Sequence, residues 1–175
     1  MRIISWNLHG ASVPGRSSTE KQIRAWNYMR ELGADLILAQ EATLSGLPAW
    51  VGEQWTFVAG EHGRFRKNWH WGSVIVAKRE LCLVPYDKSL DDPWLAQLYD
   101  LVLAGQVQLT TGPIVVVSVH AAAVSVRDWL RDYATSLSLS DDELVSLRRP
   151  NCNEAPYLND LAFNALARTI GDRPF

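Results

Sequence analysis

Three short apolar runs in this chain each stop abruptly at residues able to do chemistry, and this pattern constrains the fold more than any other feature. Ile3-Ile4-Ser5-Trp6 ends in Asn7, with His9 and Gly10 close behind; Leu36 to Ala39 ends in Gln40 and Glu41; Ile114 to Val119 ends in His120. Short apolar runs bounded by polar or turn residues read as buried strands, and in α/β folds the carboxyl ends of strands are where ligands sit. Asn, His and Gly also end strands for conformational reasons alone. Taken singly, Asn7 therefore reads first as a turn residue, and His120 first as a hydrogen-bonded structural histidine.

Between the first two runs lies a helix. Pro14 and Gly15 break the chain, Ser17 and Glu20 have the spacing of a capping box, and Ile23, Trp26, Asn27, Met29, Arg30 and Leu32 give a partly apolar face. Gly33 is placed for a left-handed cap, after which Asp35 to Ala39 reads as a buried parallel strand. A strand-helix-strand unit puts Asn7 and Glu41 at the same edge of one sheet. A carboxylate at the end of an apolar strand must be solvated, paired or on a metal, and such oxygen donors suit Mg²⁺. The competing reading is an exposed Glu opening a loop.

Further along, Leu47 to Gly52 suits one helical turn and Trp55 to Ala59 a strand. Residues 60–70 form a polar loop in which Arg64, Arg66 and Lys67 alternate with Phe65 and Trp69. Cations beside aromatic faces hold phosphates and stack bases, so this is the segment best suited to face nucleic acid; a solvated hairpin loop carries the same residues. Gly72 to Ala77 is a β-branched strand, and Leu81 to Val84 is expected to pair with it. Tyr99 to Leu109 and Pro113 to His120 form a hairpin whose second strand, almost wholly apolar, is expected to be central; Ala121 to Ala123 leave room for a substrate. Helices follow over 126–133 and 140–147, and a last one begins at Asn153 and ends near Gly171.

With 175 residues, 47% of them apolar, the chain can bury a single core. A formal net charge of −2 argues against bulk electrostatic capture of nucleic acid, so phosphate contact must be local. Cys82 and Cys152 are too few and too far apart for a disulfide framework or zinc cluster. No apolar stretch reaches membrane-spanning length and the amino-terminal run is too short for a signal peptide, so the expected location is cytoplasmic. A generic nucleotide-binding domain lacks support because there is no Gly-rich phosphate loop.

In the settings ISWNLHG, LILAQEA and VVVSVHA, with GSVIVAKREL between the second and third, the chain resembles the endonuclease/exonuclease/phosphatase superfamily of metal-dependent phosphoester hydrolases, which includes deoxyribonuclease I-like and exonuclease III-like nucleases. The resemblance runs along the whole of residues 1–175 and implies an α/β fold, the N-terminal portion of a four-layer sandwich with two packed β-sheets. It implies that Glu41 ligates Mg²⁺, or Mn²⁺ in its place, with Asn7 helping to place metal and phosphate and His120 contacting phosphate. Arg64, Arg66, Lys67 and Trp69 would then line the approach of the phosphoester, nucleic acid among the candidates. The superfamily's later Gly-Asp-x-Asn strand and C-terminal Asp-His pair have no counterpart; Gly171-Asp172-Arg173-Pro174 is not the first of them. The resemblance thus implies a domain cut short before its second catalytic half and weak or absent turnover by these residues alone. The alternative is a non-catalytic remnant or binding module that keeps the half-sandwich.

Overall fold

Strand β1 (Ile3–Asn7) leads into helix α1 (Ser18–Glu31) and returns as β2 (Leu36–Ala42), parallel to β1 with Ile3 opposite Leu36 and Asn7 opposite Gln40. The computed structural model describes residues 1–8, 18–60, 72–86 and 102–120, which lie in one compact unit. The loop bearing Arg64, Arg66, Lys67 and Trp69 and the helices expected after residue 120 fall outside the described residues. α1 carries Glu20 in its first turn and Arg30 in its last, each favourable to the helix dipole, and the chain leaves it through Gly33 at φ +74°.

A 3₁₀ turn (Leu44–Gly46) and an irregular turn (Trp50–Glu53) follow β2, then β3 (Trp55–Ala59) and β4 (Gly72–Lys78). The first sheet runs β1-β2-β4-β3, with β4 antiparallel to both neighbours. Its inner positions alternate in destination, as a strand's two-residue period demands. Ile37, Ala39, Val74 and Val76 meet Trp26 and Met29 of α1, whereas Leu36, Ile75 and Ala77 face the second sheet. Trp50 and Trp55 close one end of the helix-side core edge to face at 5.2 Å; Trp50 Nε1 donates to Asn27 Oδ1 at 2.8 Å, and the Arg30 guanidinium covers the Trp50 ring.

Among the described residues the second sheet holds β5 (Val84–Pro85), β6 (Val102–Leu109) and β7 (Gly112–Val119), in that order and all antiparallel. Leu83, Leu103, Val107 and Val116 pack on Leu36, Val58, Ile75 and Ala77, so the architecture is α/β with two packed β-sheets. Both faces of β6 are buried over Val102–Gly105.

Three strand expectations change. β1 is an edge strand among the described residues: Ile3 is 48% and Trp6 40% exposed, and the Trp6 ring meets Tyr28 of α1 edge to face. Residues after β4 do not fold back on it. Arg79–Leu81 makes a 3₁₀ turn, Cys82 takes φ 45°, and Val84–Pro85 pairs with β6, so the chain changes sheets there. Finally, among the described strands β6 and not β7 stands in the middle of its sheet; apolar content did not rank them because the partly exposed face of β7 is also built from Val115 and Val117.

Candidate functional site

β2 departs from alternation where its chemistry begins. Ala39 and Ala42 both pack in the helix-side core although three residues apart, and the pairing with β4 shifts between them. Glu41 is the inserted residue, at φ 52°. A bulge of this kind bends the strand and re-aims one side chain. Regular pleating would turn Glu41 toward α1; the bulge instead delivers its carboxylate to Asn7, whose Nδ2 donates to Glu41 Oε1 at 3.0 Å.

Gln40, just before the bulge, faces the second sheet. Its Nε2 donates to Ser118 Oγ at 2.9 Å inside the sandwich, and also lies near Leu38 O at 3.2 Å and Ser5 Oγ at 3.4 Å. Ser118 and His120 lie on the same side of their chain, two residues apart. The Gln40–Ser118 bond therefore fixes the height at which His120 meets the end of β2: His120 Nε2 stands 3.8 Å from Glu41 Oε1, and the two side chains are only 13% and 16% exposed. Burial pushes the His120 imidazole below its ordinary pKa, opposed by the neighbouring Glu41 carboxylate. The shift favours the neutral imidazole, which has one ring nitrogen to donate and one to accept.

The structure thus brings Asn7 and Glu41 of the first sheet together with His120 of the second, each from a different strand end. Arg64, Arg66, Lys67 and Trp69 lie outside the described residues. Sequence reasoning marked Gln40 at its strand end without a role and passed over Gln22 and Ser118; all three support the site from behind. Gln22 carried a legible signal: it sits four and seven residues before Trp26 and Met29, on the buried stripe of α1, where an apolar residue is ordinary. Gln40 and Ser118 have no such signal, since their partnership spans 78 residues.

A carboxylate beside a carboxamide offers hard oxygen donors, and a cation that retains water and substrate oxygens needs no more than one or two carboxylates from the protein. Among the described residues there is no group of three or more His, Cys, Asp or Glu able to cage a metal by themselves. The donor chemistry fits Mg²⁺ or Mn²⁺ and not a thiolate-bound metal. Among the described residues no helix is long and apolar enough to cross a membrane.

No known protein family and no curated protein matches the sequence. Among solved structures, the chain is similar to the endonuclease domain of TRAS1, a telomere-specific non-LTR retrotransposon, with a TM-score of 0.48 and 10% identity over 96% of this chain and 71% of that one.

Proposed function

We propose that this domain is a metal-dependent phosphoester hydrolase of the endonuclease/exonuclease/phosphatase type, acting at Asn7, Glu41 and His120. The convergence of these three side chains from the strand ends of two sheets carries the reading. Glu41 and Asn7 would hold Mg²⁺ or Mn²⁺ through oxygen, and that ion would supply charge neutralisation at the phosphoryl oxygens and a polarised water. His120, whose neutral form burial favours, donates a hydrogen bond to a phosphoryl oxygen. The low exposure of Glu41 and His120 strengthens these contacts by excluding water. Nucleic acid is the favoured polyanion, with Arg64, Arg66 and Lys67 as phosphate contacts and Trp69 as a base-stacking surface.

Titration calorimetry with Mn²⁺ and hydrolysis assays on bis(p-nitrophenyl) phosphate and on single- and double-stranded DNA test this reading. Mn²⁺ binding and, at most, weak Mn²⁺-dependent turnover are expected, both abolished in Glu41→Ala. Absence of Mn²⁺ binding by the parent protein overturns the metal assignment; binding without turnover on any phosphoester favours the non-catalytic binding module.

A further inference from the structure

The carboxamide of Gln22 lies on the core stripe of α1, only 1% exposed, and its bonds go to the chain on either side of Ala42. Its Nε2 donates to the Glu41 carbonyl oxygen at 3.1 Å. Its Oε1 accepts from the Thr43 backbone N–H at 2.9 Å and from the Thr43 hydroxyl at 3.0 Å. A bulge removes backbone groups from the strand ladder, and one side chain here meets two of them, from opposite sides of a single residue.

Gly46 makes room for this arrangement. A Cβ there would stand 2.4 Å from Gln22 Oε1 and 2.8 Å from Thr43 Oγ1. The Gly46 N–H meanwhile donates to Thr43 Oγ1 at 3.1 Å, closing the turn over the carboxamide. Gly46 does not lie at positive φ, so glycine is required there for space and not for backbone freedom.

We propose that Gln22 is a positioning residue that holds the Glu41 peptide in its left-handed conformation and so sets the carboxylate against Asn7 and His120. Its consequence for ion binding rests on the reading of Glu41 as a metal ligand; its consequence for the Asn7–Glu41 hydrogen bond does not. Groups that orient a ligand from behind typically change metal affinity 10- to 100-fold when removed.

The test uses the full chain in two variants that disturb the carboxamide differently, Gln22→Met and Gly46→Ala, with Met29→Val as a control that loosens the same helix without touching the bulge. In the metal-free protein, NMR of the Asn7 side-chain amide should show its bonded signals moving toward solvent values in both variants and staying in place in the control. Mn²⁺ affinity by calorimetry should fall roughly 10- to 100-fold in both variants and stay within about twofold of the parent in the control. Unchanged Asn7 signals in folded Gln22→Met and Gly46→Ala overturn the proposal, as does an affinity loss in all three variants that follows only their unfolding temperature. If the parent binds no Mn²⁺ while the Asn7 signals still shift, the metal reading fails and the positioning role stands. Should Gln22→Met not fold, Gly46→Ala and slow exchange of the Thr43 amide in the parent decide the question.

Discussion

Ala39 and Ala42 face the same core from positions three apart in one strand, and the residue this displaces is Glu41. A two-residue period would have sent the Glu41 side chain into the apolar layer under α1, where an ionised carboxylate is costly. The left-handed turn at Glu41 lets β2 keep both alanines in the core and still present a carboxylate at the edge where β1 and β7 end.

A left-handed conformation costs a residue with a Cβ roughly 1–2 kcal/mol, and glycine escapes this cost. Glu41→Gly should therefore be more stable than Glu41→Ala by about 1 kcal/mol in urea unfolding, with Mn²⁺ binding lost in both. Equal stability of the two variants would mean that residue 41 is not left-handed in solution.

Gln40 and Ser118 are both buried and bonded across the sheets, so removing one partner strands the other. Gln40→Leu should cost about 1–3 kcal/mol, and Ser118→Ala in the same background should recover part of that loss, because a wholly apolar pair leaves no unmet donor. A double-mutant cycle by chemical denaturation checks this; additive losses would remove the inter-sheet bond from the account.

Acid should unfold the domain partly through Asp35, which joins the start of β1 to the end of β4. Lys78 Nζ donates to Asp35 Oδ1 at 2.6 Å and the Arg2 backbone N–H to Oδ2 at 2.7 Å, and these bonds, the lysine's foremost, hold the Asp35 carboxyl below the usual carboxylate range. In the unfolded chain the carboxyl returns to about 3.9. The unfolded state then binds the proton first, so the stabilisation is complete above the unfolded value and is lost as the pH falls through the folded one. Asp35→Asn should flatten the fall in urea midpoint below about pH 5, and 1 M salt should shrink the difference because the pair is partly exposed. An unchanged acid limb in Asp35→Asn would show that the acid response arises elsewhere.

If Arg64, Arg66 and Lys67 contact phosphates, replacing all three with Ala should weaken binding to single-stranded DNA and reduce the slope of log affinity against log salt by up to about 2. Fluorescence anisotropy over a salt series measures it. An unaltered slope assigns these cations to a solvated loop.

The local code of the chain was sufficient for the strand-helix-strand unit. A capping pattern before α1, a glycine after it and apolar runs of strand length on either side specify two parallel strands, and parallel neighbours bring Asn7 beside the end of β2. The hairpin of β6 and β7 was legible for the same reason, because its turn and both its strands lie within one short segment. The same local code did not say which strands lie at edges. Exposure of Ile3 and Trp6, and the middle place of β6 among the described strands, depend on which strands arrive alongside, and apolar side chains are compatible with either position.

Sequence alone placed Asn7, Glu41 and His120 at strand ends and Asn7 beside the end of β2. The tertiary structure decided how closely the three meet. Their meeting depends on a bulge that breaks strand periodicity at Glu41, on the Gln22 carboxamide spanning it, and on the Gln40–Ser118 bond that sets β7 at the right height. Each of these joins residues distant in sequence, and their geometry is fixed by the need to satisfy buried polar groups once the two sheets and the helix have closed on one another.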